Sequence, residues 1–180
     1  MKPSGFFLIA AMLIAGSIIG SAKDNFTRDF GVDKADLTSI GTNRFFILVP
    51  GYQQVFEGRE HGLPTILTIT VSDQTRIVDG VETRVIVEHE TAGGQVVEIS
   101  TNYFAISRRT SDVFYFGEDV DMFKNGKLTS HEGSWLSGVN GAKFGLQMPG
   151  TPLLGARYYQ EIAPQIAMDR AEIVSLSDTL

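Results

Sequence analysis

The sequence predicts an all-β protein, an antiparallel meander curled into a barrel or half-barrel of about eight strands. Two tight-turn pairs, Asp79-Gly80 and Asn125-Gly126, each lie between segments rich in Thr, Ile, Val and aromatic residues, where a two-residue type I′ turn requires such a pair. The order strand, tight turn, strand then repeats without an amphipathic helical period. A chain of 180 residues, 43% of them hydrophobic, also suffices for one domain with a real core.

Residues 1–22 have the character of a secretory signal, with Lys2 as a positive start, an apolar stretch over 6–19 and the small residues Gly20-Ser21-Ala22 as a cleavage site. An apolar stretch of about 15 residues falls short of the roughly 20 that span a bilayer. The expectation is export to the periplasm or beyond, with no membrane anchor after cleavage. Residues 23–43 form a polar arm with one helical turn around 32–37, and a single β domain follows over 44–180.

Within that domain, 44–49 is an apolar strand closed by Pro50-Gly51, and 52–56 alternates as a half-buried strand does. A loop over 58–62 leads to a long β-rich stretch, 65–78, whose Thr, Ile and Val suit a pleated surface. Asp79-Gly80 turns the chain into 81–90, and Ala92-Gly93-Gly94 turns it again into 95–106. The polar loop 107–112 then enters 113–135, where an aromatic run, a carboxylate cluster and the Asn125-Gly126 turn follow one another. Five glycines and two prolines over 138–155 predict a long irregular connection. Two last strands, 157–162 and 171–176, flank a segment containing Pro164.

Charge and composition exclude several functions. A net charge of −6 and a pI near 5.0 leave no basic patch to neutralise nucleic-acid phosphates. With no cysteine there is no disulfide, thiolate metal site or catalytic thiol. No Gly-x-Ser-x-Gly elbow occurs, and His61, His89 and His131 are too far apart for a helical zinc motif. An EF-hand loop fails because Phe123 stands at its third ligand position. In Val87-Glu88-His89-Glu90, strand alternation sends the two glutamates one way and His89 the other.

With Asn125-Gly126 as the turn, the predicted register sets Phe123 opposite Leu128, Asp121 opposite Ser130 and Asp119 opposite Glu132. Asp119, Asp121 and Glu132 then share a face and could hold calcium or zinc, against the plainer reading of a solvated strand face. Glu118 and His131 share the other face with Val120 and Met122. Tyr103, Tyr115, Glu118, His131 and Trp135 are the expected lining of a cavity for a small apolar or amphipathic molecule, held between the sheet and the 138–155 connection. No catalytic residue and no cofactor is expected, so a binding module is favoured over a metal-dependent enzyme. A third reading makes an open sheet edge the seat of homo-oligomerisation.

Several landmarks together carry a resemblance: Asn43-Arg44-Phe45-Phe46-Ile47-Leu48-Val49-Pro50-Gly51, Asp79-Gly80-Val81, Tyr115-Phe116-Gly117-Glu118-Asp119, Gly133-Ser134-Trp135, Gly141-Ala142-Lys143-Phe144-Gly145 and Met148-Pro149. In order and spacing they resemble a family of uncharacterised exported bacterial β proteins, lipocalin-like in style, over most of the chain beyond the signal. The resemblance implies export and a β fold and supplies no catalytic residue. Arg44 replaces a proline of the family pattern, and family members continue past 171–176 into further strands. The expectation is therefore of a chain that is short at its C-terminus, with an open edge prone to pairing.

Overall fold

A computed structural model describes residues 25–177, so the expected signal segment lies outside the described residues. In chain order the strands are β1 (Leu37–Thr38), β2 (Gly41–Thr42), β3 (Ile47–Leu48), β4 (Gln53–Glu60), β5 (Leu63–Val78), β6 (Val81–Ala92) and β7 (Gln95–Ser107). They continue as β8 (Val113–Lys124), β9 (Lys127–Ser130), β10 (Trp135–Leu136), β11 (Lys143–Met148), β12 (Arg157–Tyr159), β13 (Glu161–Ile162) and β14 (Arg170–Glu172). A half-barrel of seven strands runs β13-β11-β8-β7-β6-β5-β4, all pairings antiparallel, with β1, β9 and β10 joined to its sides. Among the described residues no helix is long and apolar enough to cross a membrane. The expected helical turn in the arm is a 3-10 turn, Lys34–Asp36, whose first turn is capped by the Asp33 carboxylate accepting from the Ala35 N–H at 2.9 Å.

Both tight turns form as their residues demand. Asp79 (φ 49) and Gly80 (φ 78) join the pair Val78 and Val81, and Asn125 (φ 53) and Gly126 (φ 71) join Lys124 and Lys127. A third turn of this kind, His61 (φ 47) and Gly62 (φ 84), joins Glu60 to Leu63. Most of the loop expected over 58–62 therefore belongs to β4. That strand is exposed along its whole length, so its polar residues carry no burial pattern.

The largest departure lies in 138–155, which contains β11, an inner strand paired with both β8 and β13. Glycine hides it in the sequence and also makes it fit. A Cβ on Gly145 would run into the backbone carbonyl of Gln160, so only glycine lets the two chains pass that closely. The single strand expected over 157–162 is divided at Gln160, since β12 pairs with β14 in a separate ribbon whereas β13 pairs with β11.

Over β6 to β8 the sheet is buried on both faces. One cluster contains Leu48, Val71, Ile86, Phe104, Ile106, Tyr115 and Trp135, and the other contains Leu37, Val85, Tyr103, Ala105, Phe114 and Phe116. Neighbouring residues of β7 thus feed opposite cores, which explains a continuous buried run there in place of alternation. Full burial of a side chain such as Phe114 or Phe116 contributes about 2–3 kcal/mol relative to exposure. One cation is buried with them: Arg84, 6% exposed, donates from Nε to the Ser39 carbonyl at 2.9 Å and from Nη1 to those of Asp73 and Gln74 at 2.9 and 3.1 Å. Those last two carbonyls come from the bulge in β5 between Val71 and Thr75.

Candidate functional site

Strand alternation brings Glu98, Ser100, Asn102 and Phe104 of β7 to one face, beside Ile86 and Glu88 of β6. In β8 the register passes from Asn102 opposite Glu118 to Phe104 opposite Tyr115, so β8 spends one residue more than β7 over this step. The extra residue is accommodated at Gly117, whose φ of 126 belongs to glycine alone. Residues three apart in a plain strand point to opposite sides; the bulge instead turns Tyr115 and Glu118 to the same one. Beyond β8, Gln147 of β11, Gln160, Glu161 of β13 and Asp169 close the group.

These residues line a trough. Its acidic end, a hollow of 260 Å³, holds Glu88, Glu98, Glu118, Glu161 and Asp169, with Asn102 and Tyr115 among their neighbours. Its aromatic end, 300 Å³, is lined by Phe45, Phe46, Tyr52, Ile69, Ile86 and Phe104, among others. Glu88, Phe104 and Gln147 line both ends, so the two hollows are neighbours that share these three residues. Past Arg44 and Phe45 lies a further apolar hollow of 510 Å³, bounded by Met148, Pro152, Ile173 and Leu176. A run of rings stiffens the middle: Phe46 lies 5.0 Å from Phe104, Phe104 stacks on Tyr115 at 4.5 Å, and Trp135 meets Tyr115 edge-on at 5.4 Å.

The acidic end holds Glu88, Glu118 and Glu161 above the usual carboxyl range. Burial pushes Glu118 up to about 7, helped by the charges of Glu98 and Glu88, while the Tyr115 hydroxyl and the Trp135 indole pull it back. Glu161 is likewise pushed up to about 7, by burial first and then by Glu118 and Asp169. Glu88 is raised by burial and by Glu98 and Glu90, and burial drives the Tyr115 phenol well above its ordinary value. No Lys, Arg or His lines this end, and among the described residues none of its five carboxyls forms an ion pair. Two buried donors also lack a hydrogen-bond partner: the Asn102 amide nitrogen, on a side chain whose oxygen accepts from Tyr115, and the Trp135 indole nitrogen. Trp135 lies near enough to Glu118 and Glu161 to favour their ionised forms without bonding to either.

Of the residues expected from the sequence to share a cavity, Tyr115 and Glu118 line the acidic end, whereas Trp135 packs edge-on against Tyr115 and lines a separate hollow with Val139 and Pro164. Tyr103 and His131 lie elsewhere. Tyr103 is on the opposite face, donating to Asp119 Oδ2 at 2.6 Å, and Arg76 Nη1 bonds both groups at 2.5 and 2.6 Å. His131 is exposed on the hairpin flank, with Nδ1 2.7 Å from Asp121 Oδ1. The register expected around Asn125-Gly126 survives only at Phe123 and Leu128, because a bulge between Met122 and Phe123 sets Met122 opposite Ser130. Strand β9 ends at Ser130, and Glu118 faces Trp135. Asp119, Asp121 and Glu132 consequently do not converge: the first is held by Arg76 and Tyr103, the second by His131, and Glu132 is exposed in the following turn. Among the described residues no group of three or more His, Asp or Glu side chains is placed to hold a metal ion.

Sequence reasoning set Glu88 aside with His89, and passed over Glu98, Asn102, Glu161 and Asp169. A signal existed for Glu88, Glu98 and Asn102, which occupy the same alternation as Ile86 and Phe104 once the Ala92-Gly93-Gly94 turn is used to pair β6 with β7. Glu161 and Asp169 sit in a short strand and a loop, where no periodicity marks a face. Comparison with protein-family models, curated proteins and solved structures finds no match to this chain.

Proposed function

We propose that the protein is an exported, non-catalytic binding protein that holds a small amphipathic molecule in the trough. Its apolar body lies against Phe45, Phe46, Tyr52 and Ile69, and its polar head enters the acidic end. The observation that carries this reading is the adjacency of the two hollows, which share Glu88, Phe104 and Gln147 and so set surfaces of opposite chemical character side by side. The two hollows, 260 and 300 Å³, lie near the lower end of the size that small-molecule sites occupy, roughly 300–1,000 Å³. Export is supported by the signal-like character of 1–22 and by the resemblance to exported bacterial β proteins.

The test uses a neutral amphipathic dye, N-phenylnaphthylamine, whose emission rises in apolar surroundings. The dye binds the intact protein and is displaced by alkyl amphiphiles. Phe45→Glu combined with Tyr52→Glu weakens it by about ten-fold or more, because charge is then set against the apolar body. Both residues are exposed, at 55% and 37%, so the fold tolerates the change. Unaltered dye affinity in that variant would count against the trough.

A further inference from the structure

We propose that the head group of the bound molecule is a primary ammonium with an acceptor oxygen beside it, as in an amino alcohol. This rests on the trough as the binding site and names the chemistry that its acidic end selects. Five carboxyls from five parts of the chain converge there: Glu88 from β6, Glu98 from β7, Glu118 from β8, Glu161 from β13 and Asp169 from the loop after it. The nearest cation along the trough, Arg44, stands at the far aromatic end with its guanidinium 5.1 Å from the Phe45 ring. A group of like charges without a counter-charge is costly in partly buried surroundings, and a cation entering it removes that cost.

The second observation is independent of charge. Asn102, 3% exposed, lines the acidic end with its amide nitrogen unpartnered, while its oxygen is taken by the Tyr115 hydroxyl. A buried N–H without an acceptor is a standing cost that an acceptor on the bound molecule removes. An ammonium cannot satisfy it, because an ammonium only donates. A hydroxyl or ether oxygen on the neighbouring carbon can. The carboxyls and the amide together therefore specify a head that donates with charge at one atom and accepts at the next.

An ammonium beside Glu118 and Glu161 favours their ionised forms. Binding near pH 6 therefore releases protons, for the groups facing the head from β6, β7, β8, β13 and the 169 loop are carboxyls whose hold on a proton the ammonium weakens, with no His or Lys beside them.

The test titrates the exported chain, below the micellar range, with decylamine, decanol, decanoate and an amino alcohol of the same chain length. Binding is followed by Trp135 emission and by calorimetry in two buffers of different ionisation enthalpy. Decylamine is expected to bind about ten-fold or more tightly than decanol, decanoate most weakly, and the amino alcohol most tightly. Proton release accompanies the amines and not decanol. Glu118→Gln with Glu161→Gln removes the preference for decylamine over decanol, and Asn102→Leu removes the advantage of the amino alcohol over decylamine. If decanol and decanoate bind as tightly as decylamine, the ammonium is overturned and the trough stands. If an added hydroxyl gives no advantage, the acceptor is overturned. If no amphiphile binds, the trough itself falls. If spermidine or calcium binds the acidic end as tightly as decylamine, the site is one for bare cations and the inference fails.

Discussion

Glu118 and Glu161 set the molecule's response to pH. Each has a folded value of about 7 against an ordinary 4.5, so between those limits the folded protein holds protons that the unfolded chain has released. Their contribution to stability is therefore fullest below about pH 4.5 and is lost as pH rises through about 7, opposite to the behaviour of an ion-paired carboxylate. In Glu118→Gln the fall in denaturation midpoint between pH 5 and pH 8 is expected to be shallower, with higher stability than the parent at pH 8. An equally steep fall would mean that Glu118 is ionised throughout. Tyr115, Glu118 and Trp135 were legible in the sequence as one group because they flank a single stretch dense in aromatic and polar side chains. Glu161 was not legible, since its place beside Glu118 depends on β13 reaching β8 through β11.

Among the elements, β8 depends most on one residue. Gly117 adopts a φ of 126, and a Cβ there would fall inside contact distance of the Trp135 carbonyl oxygen, where β10 crosses. Gly117→Ala is expected to cost more than about 2 kcal/mol in chemical denaturation. Because the bulge alone places Glu118 on the side of Tyr115, the same change also disturbs the trough. Denaturation that shifts by only a few tenths of a kcal/mol would show that the bulge relaxes without penalty. The tight turns were readable from the sequence, since Asp79-Gly80 and Asn125-Gly126 have few other backbone options. The bulges at Gly117 and between Met122 and Phe123 were not, because a glycine or a phenylalanine in a strand pattern does not say whether the register steps there. Strand β11 was hidden for a related reason: Gly145, essential to its fit against Gln160, counts as a loop signal when only the sequence is considered.

For the whole molecule, the half-barrel and the antiparallel order followed from turn chemistry and apolar content, whereas the two-sided burial of β6 to β8 did not. A strand such as β7, whose successive residues serve two cores, shows a hydrophobic run that does not reveal which residue serves which. Arg84 marks the difference. Replacing it with methionine retains the volume and leaves the carbonyls of Ser39, Asp73 and Gln74 short of a donor, at an expected cost of about 2–4 kcal/mol by equilibrium denaturation. A neutral result would mean that water serves those carbonyls equally well. In most sheets a one-residue slip is punished because it turns apolar side chains out to solvent. Where both faces are apolar that penalty nearly vanishes, and a slipped chain could bury almost as much. Arg84 then acts as a proofreader: only the native alignment meets its guanidinium with the β5 bulge, and every other one strands a charge in the interior.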